Sequence, residues 1–555
     1  MFSHLKLIFV SKLKQLIVIL FQNVRFIKNI LACLISIILF FIAWPPNSFP
    51  IFIFFAFIPI LWIVFNYDAK KYKFPSWNLF FLLFIIFLLI NFLLTSWVMK
   101  AHWGGGVFAS VFNSLLMTSV FILVFKLKQS IGEKHAFVAF PIFWLAFEYL
   151  HLNWQLTWPW LTLGNVFSEH TYLVQWYEYT GILGGSLWVL LVNVVLFAGL
   201  KRSSTNKYSV KQLIIGSILM IIPFGISYKI HLSLSDRMSD SISDSVDVVI
   251  VQPNYEPHFE KFSISQNLQL QSVERLLDSL WINQPDLIVL PETFIVDWIW
   301  ESKIEDVPVI KRMKNWLISH SNTQILTGAS TAKVIHDDEL KSSIRKSQYG
   351  VSYEVYNSAL LISSDEPVQI FHKSKLVPGA EMTPYALIFK KVLDKFPIKL
   401  AGTIGNFGIN DSISNFKSNK GYFTSMICYE SIFGAYVSKY VNKGSDWICI
   451  ITNDGWWGDS YGHQQHHAYA RLRAIENRRN IVRCANTGIS SVINYKGEVE
   501  QFLPYNKKGI IEASIFRSYK TTFYSKYGDY IGRLASFLAI IYLLQSIISS
   551  FTHRK

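Results

Sequence analysis

The sequence predicts a multi-span α-helical membrane bundle joined to a single α/β domain outside the membrane. Three observations predict it. Half of the 555 residues are hydrophobic and only 16% are charged; the apolar residues gather into long runs within 29–228 and 530–555; and 229–529 switches to short β-branched runs separated by helix-like stretches. A chain of this length exceeds one ordinary core. The division expected is a basic amphipathic segment 1–28, a membrane domain 29–228, a soluble domain 229–529, and a final span with its tail at 530–555.

Segments 29–44, 50–66, 78–99, 106–126, 136–150, 181–200, 210–228 and 531–551 are apolar runs on the scale of a bilayer core of about 30 Å. That makes about eight spans. Lys12 and Lys14 interrupt 5–28, which favours an interfacial helix over a further span. With both termini in the cytoplasm, the inside loops hold Lys70, Lys71 and Lys73, then Lys126, Lys128 and Lys134, then Lys201, Arg202 and Lys207, with Arg554 and Lys555 in the tail. Loops 45–49, 100–105 and 151–180 carry one basic residue, Lys100, so the asymmetry supports eight spans with 229–529 on the outer side. No apolar core is followed by a small-residue cleavage site, and the first spans are expected to be retained.

The formal charge of +15 lies beside the apolar segments rather than in one soluble patch. Anionic lipid headgroups, not nucleic acid, are the partner this distribution suggests. The four cysteines, 33, 428, 449 and 484, have neither CxxC nor metal-type spacing, which argues against a disulfide framework or a cysteine zinc site.

Within the soluble segment DVVIVQPN, DLIVLPET, TQILTGAS, YNSALLISS, TSMICYES, DWICIITND and IVRCANTG read as strands, and 264–280, 306–320 and 463–479 as helices. This alternating order gathers polar groups at strand ends, where α/β folds place their chemistry. LPETF sets Glu292 after a strand, FHKSKLVPGAEMTPY sets Lys373 before a loop carrying Glu381, and MICYES sets Cys428 at another strand end. Singly, these read as a helix cap, a solvated charge and a packed thiol. Together they suit acyl transfer: a thiol with an ordinary pKa near about 8.5 needs a base, for which Glu292 is the candidate. The oxyanion formed on attack needs donors, which Lys373 and the Tyr429 N–H supply.

PETF, K-x-x-L-V-P and C-Y-E, in this order, resemble the Glu-Lys-Cys triad of the nitrilase superfamily. FIAWPPNSFPIFIFFAFIPILW, TWPWLTLGN, QWYEYTGILGGSLWVLLVN and NDGWWGDSYGHQQHHAYARLRAIENRRNIVRCANTGIS resemble the apolipoprotein N-acyltransferase family, from about residue 30 onward. The resemblance implies a nitrilase-like α-β-β-α sandwich on the periplasmic side of a bacterial inner membrane. It also implies transfer of an acyl chain from a phospholipid, through a thioester, to the α-amino group of diacylglyceryl-cysteine in an apolipoprotein, by a monomer without a cofactor or metal. By analogy Glu292 is the base, Lys373 stabilises the tetrahedral intermediates and Cys428 carries the acyl group. Glu381, Tyr429, Glu430, Trp456 and Asn357 match supporting or substrate-binding positions. Two departures stand out: LVPGAE replaces the usual LVPFGE, and VQPNYEPHFEKF offers Phe259 or Phe262 where many members have a tryptophan.

Three rival readings remain open in the residues. His463, His466 and His467 open a helix at zinc-ligand spacing, but no HExxH accompanies them. Glu148, the principal ionisable residue within the spans, would be the mark of a transporter. A membrane-tethered amidase using water as the acceptor is the nearest enzymatic alternative.

Overall fold

The computed structural model describes residues 24–69, 74–203, 209–239, 242–279, 284–335, 341–386, 406–410 and 412–552. Most of the N-terminal segment 1–28 falls outside them, as do Lys70, Lys71, Lys73, Lys207, Arg554 and Lys555.

Each of the eight apolar runs forms a helix or a helical pair. They are α1 (Val24–Ala43), α2 (Pro50–Phe65), α3 (Pro75–Thr95), α4 (Trp103–Ser130), α5 (Glu133–Asn153), α6 (Tyr177–Ser203), α7 (Val210–Ser239) and, at the end of the chain, α12 (Tyr530–Thr552). Among the described residues, six are long and apolar enough to cross a membrane; α1 and α2 are apolar but shorter. Pro50 at its first position and a break at Phe57 divide α2 into short helical pieces. Asn193 of α6 satisfies that break, accepting from Phe57 N–H at 2.9 Å and donating to the Ile53 carbonyl at 3.0 Å.

Among the described residues the soluble domain has two sheets. The first runs β14 (Gly509–Ser518), β1 (Ile242–Gln252), β2 (Leu287–Val289), β4 (Gln324–Val334), β6 (Ser352–Ile362) and β5 (Arg345–Lys346), with β3 (Ile295–Trp300) paired to β4 and β7 (Gln369–His372) to β6; the second runs β13 (Val499–Leu503), β12 (Ser490–Ile493), β11 (Ile481–Ala485), β10 (Trp447–Thr452), β9 (Gly421–Ile427) and β8 (Phe416–Ser418). The strands that carry the site are β2 (Leu287–Val289), β4 (Gln324–Val334), β6 (Ser352–Ile362), β7 (Gln369–His372), β9 (Gly421–Ile427) and β10 (Trp447–Thr452). Strand alternation divides the core. Val246, Val248 and Ile250 of β1 (Ile242–Gln252) face the second sheet, which presents Phe423, Cys449 and Ile451 on that side. Val249 and Val251 face outward, onto α8 (Gln266–Leu277) and α9 (Pro308–Ile318). Helices α10 (Gly434–Asn442) and α11 (Tyr461–Asn477) cover the outer face of the second sheet, completing an α-β-β-α sandwich.

Bundle and sandwich share one core, in which Tyr429, Phe433, Tyr469 and Leu472 pack among the membrane helices. Buried polar contacts fix the joint. Arg478 donates to Glu178 at 2.8 Å and to the Gln175 carbonyl at 2.7 Å, and Gln465 donates to the Pro45 and Leu94 carbonyls at 3.0 and 3.1 Å. Lys100, just before α4, reaches the Asp459 carbonyl at 2.9 Å. Lys128 and Lys201 cluster at the other end of the bundle, a distance set by α4, whose 28 residues span about 42 Å. Glu148 is also accounted for structurally: its Oε1 accepts from Trp144 Nε1 and from Leu163 N–H, each at 2.9 Å, tying α5 to the loop that meets the sandwich.

Candidate active site

Glu292, Lys373 and Cys428 lie just past the ends of β2, β7 and β9, Asn357 lies within β6 and Glu381 in the loop after Lys373, and the sandwich brings them into one buried cluster. Glu292 lies three residues past β2. Gly328 of β4 admits this turn, since a Cβ there would sit 2.3 Å from Thr293 N and 2.6 Å from Glu292 Cα. Lys373 directly follows β7, its N–H donating to the Asn357 carbonyl at 2.8 Å. The Lys373 ammonium, 1% exposed, donates to Glu381 Oε1 at 2.8 Å and to Glu292 Oε1 at 3.3 Å. Asn357 Nδ2 completes the square, donating to Glu292 Oε1 at 2.8 Å and to Glu381 Oε1 at 3.1 Å. Glu381 Oε2 accepts from Val377 N–H at 2.8 Å, so the LVPGAE loop holds its acid without the usual aromatic residue.

Cys428 directly follows β9 with φ 51°, in the left-handed region that non-glycine residues rarely enter. This bend turns the chain sharply out of the sheet and into the 3₁₀ turn Cys428–Ile432. Glu430, fully buried, secures the bend: Oε2 accepts from Ile427 N–H at 2.9 Å, while Oε1 accepts from Ser374 N–H at 2.7 Å and Tyr436 O–H at 2.8 Å. It therefore joins the cysteine turn to the residue after Lys373. Tyr429 O–H donates to the Thr157 carbonyl at 3.1 Å, anchoring the same turn to the membrane domain.

Electrostatics divides the cluster into a fixed cation and a guarded thiol. Burial opposes the charge on Lys373, but Glu381 and Glu292 outweigh it and hold the ammonium well above the ordinary lysine range. Burial and the Glu292 charge push the Cys428 thiol up, with Lys373 and Thr452 acting in the opposite direction. The resting sulfur is thus a thiol at neutral pH, and its reaction requires that the proton be taken as the bond to carbon forms.

A second network, which the sequence reading did not find, lies on the other side of the cysteine. Asp454 Oδ1 accepts from Thr452 O–H at 2.7 Å and meets His466 Nδ1 at 2.8 Å, and Oδ2 accepts from Arg483 at 2.7 Å. Burial works against the Asp454 charge, yet Arg483 and His466 keep the carboxyl far below its usual range. His466 Nε2 lies 3.2 Å from the Cys428 carbonyl. Of this network the sequence singled out His466 alone, as a candidate zinc ligand. Ligand atoms of Cys428, Asp454 and His466 lie within 4.8 Å of one another. The set does not suit a cation, because Arg483 already occupies Asp454 and both imidazole nitrogens are engaged. The other two histidines diverge: His463 meets Asp459 at 3.2 Å and His467 meets Ser491 at 3.0 Å.

Trp456 packs against the segment at 256–263. Phe262 stacks on it with ring centroids 6.4 Å apart and His258 meets it edge-on at 5.1 Å, while Phe259 is 82% exposed. Of the two phenylalanines, Phe262 is the one that packs on Trp456. Lys261, beside it, is the other residue missed: it is 1% exposed and donates to the Glu292 carbonyl at 2.8 Å and Thr293 Oγ1 at 2.7 Å. Its sequence context, HFEKFSI, gave no signal that the ammonium is buried.

A four-layer α-β-β-α domain with acid, lysine and cysteine at its strand ends is that of a carbon–nitrogen hydrolase, and residues 248–522 match the carbon-nitrogen hydrolase family model. Residues 36–195 match the model of the apolipoprotein N-acyltransferase N-terminal domain, and the chain belongs to the apolipoprotein N-acyltransferase family. It is 29% identical over 443 residues to an apolipoprotein N-acyltransferase of Chlorobaculum tepidum, covering 78% of this chain and 81% of the relative. Apolipoprotein N-acyltransferase 1 of Treponema denticola is 26% identical over 560 residues, 96% of this chain and 98% of the relative. The corresponding protein of Geobacter metallireducens is 27% identical, with 71% of this chain and 70% of the relative covered.

Proposed function

We propose that this chain transfers an acyl chain from a phospholipid to the N-terminal α-amino group of diacylglyceryl-cysteine in apolipoproteins, through a thioester on Cys428. The observation that carries the reading is the buried square of Glu292, Lys373, Glu381 and Asn357 beside Cys428, in a domain seated on an apolar bundle. Glu292 takes the thiol proton as sulfur attacks the ester carbonyl. Lys373 and the Tyr429 N–H stabilise the oxyanion, and Glu292 returns the proton to the departing lysophospholipid oxygen. In the second half, the lipoprotein amine attacks the thioester, Glu292 accepts its proton, and the amide forms as the thiolate leaves and is reprotonated. Glu381 and Asn357 hold Lys373 and Glu292 in register, Glu430 holds the cysteine turn against the lysine loop, and Trp456 walls the acyl site.

The seat on the bundle favours lipid substrates, because each methylene kept out of water is worth roughly 0.8 kcal/mol. In this reading 229–529 is the catalytic domain on the periplasmic face of the inner membrane, both termini are cytoplasmic, and the protein works as a monomer. Purified protein incubated with phospholipid labelled in the acyl chain is expected to form a hydroxylamine-sensitive adduct. The label should pass to a diacylglyceryl-cysteine peptide on chase. A Cys428→Ala variant that forms the adduct as readily as wild type overturns the mechanism; release of the label only as free fatty acid supports the water-acceptor alternative.

A further inference from the structure

We propose that Lys261 is a positioning residue for the reaction, clamping the Glu292–Thr293 backbone so that the Glu292 carboxylate meets Cys428. The inference rests on the reading of Glu292 as the base. An ammonium group at 1% exposure is not neutral filler, since burying a charge is costly unless it is held by acceptors. The acceptors found for Lys261 are Glu292 O at 2.8 Å and Thr293 Oγ1 at 2.7 Å, both belonging to the turn that carries the base. Burial pushes the Lys261 ammonium down to about 7, partly offset by the Glu292 charge.

That turn has reason to need a clamp. Thr293 has φ 48°, a left-handed conformation that a β-branched residue seldom adopts. Gly328 presses on it from one side, and Lys261 holds it from the other. The lysine is itself held in place: its carbonyl accepts from Gln269 Nε2 of α8 at 2.6 Å, and its N–H donates to the Glu256 carbonyl at 3.0 Å. Phe262, the next residue, stacks on Trp456. The 256–263 segment thereby runs from Trp456 to the base, and Lys261 transmits its position to Glu292.

The test uses the full chain in lipid nanodiscs and follows formation of the hydroxylamine-sensitive acyl adduct. Lys261→Met keeps the apolar stem and removes the clamp. It is expected to slow the maximal rate of acylation roughly 10–100-fold while the KM for phospholipid stays within about twofold. Thr293→Val, which removes one of the two acceptors, should fall between Lys261→Met and wild type, and it serves if Lys261→Met does not fold. In a Glu292→Gln background, Lys261→Met should slow the residual rate by less than about threefold, because a residue acting through Glu292 loses its effect with it. Full additivity of the two substitutions, or acylation by Lys261→Met at the wild-type rate, overturns the inference. If Glu292→Gln alone leaves acylation intact, the assignment of the base fails instead.

Discussion

Replacing Glu430 with glutamine removes the charge and one of the two acceptor oxygens from a carboxylate on which four donors converge. Oε1 accepts from Ser374 N–H at 2.7 Å, Tyr436 O–H at 2.8 Å and Lys375 N–H at 3.2 Å, and Oε2 accepts from Ile427 N–H at 2.9 Å. With the amide oxygen in the place of Oε1, the NH₂ faces Ile427 N–H, donor against donor. The opposite orientation strands three donors and is worse. One lost buried bond to a charged acceptor costs about 1.5–3 kcal/mol, and the remaining bonds weaken as the acceptor becomes neutral. Against this, burial already raises the Glu430 carboxyl above its ordinary range, so removing its charge recovers part of the desolvation cost. A net loss of roughly 2 kcal/mol results. It falls on the joint between Lys373 and Cys428, because Ser374 and Lys375 follow one and Ile427 precedes the other. Adduct formation from labelled phospholipid should drop roughly 10–100-fold, with a thermal midpoint lower by roughly 2–3 °C. Tyr436→Phe, which leaves Oε1 two donors, should cost less than about threefold. An unchanged rate and midpoint for Glu430→Gln would refute the reasoning, and so would a Tyr436→Phe variant as damaged as the glutamine one.

Glu292→Gln should move two measurements in opposite directions. Acylation falls roughly 10²–10⁴-fold with loss of the base, while iodoacetamide alkylation of Cys428 at pH 8 becomes faster. The sign follows because the Glu292 charge, together with burial, holds the thiol up, and removing an anion favours the thiolate. Gly328→Ala should cut acylation at least roughly 100-fold, since the added Cβ meets backbone at 2.3 and 2.6 Å and displaces Glu292; adduct formation measures it. Arg478→Met strips Glu178 of a buried partner at 2.8 Å, and should destabilise the joint between sandwich and bundle by about 3–5 kcal/mol. Faster limited proteolysis of the otherwise intact protein would report it.

Local pattern was enough to place the apolar helices, the strands and the strand ends bearing Glu292, Lys373 and Cys428, because periodicity, length and turn residues are properties of neighbouring residues. The helices expected at 264–280 and 306–320 appear shortened, as Gln266–Leu277 and Pro308–Ile318, and the one expected at 463–479 begins and ends two residues earlier, as Tyr461–Asn477, where the Ser460 side chain caps it. Which side chains meet was not a local property. Glu292 and Asn357 stand 65 residues apart and Lys373 and Glu292 81 apart, and their contacts exist only because β2, β6 and β7 belong to one sheet. The role of Glu430 in joining two loops follows from four donors supplied by three separate stretches of chain. Asp454, Arg483 and Lys261 were not singled out in the sequence; only the tertiary structure buries them, where a charge persists by finding a partner. The sequence by itself determined which residues sit at strand ends and which runs are apolar enough for a membrane. The packing of two sheets against each other, and of both onto the bundle, decided which of those residues share a site, because burial and long-range contact arise only when distant segments exclude water together.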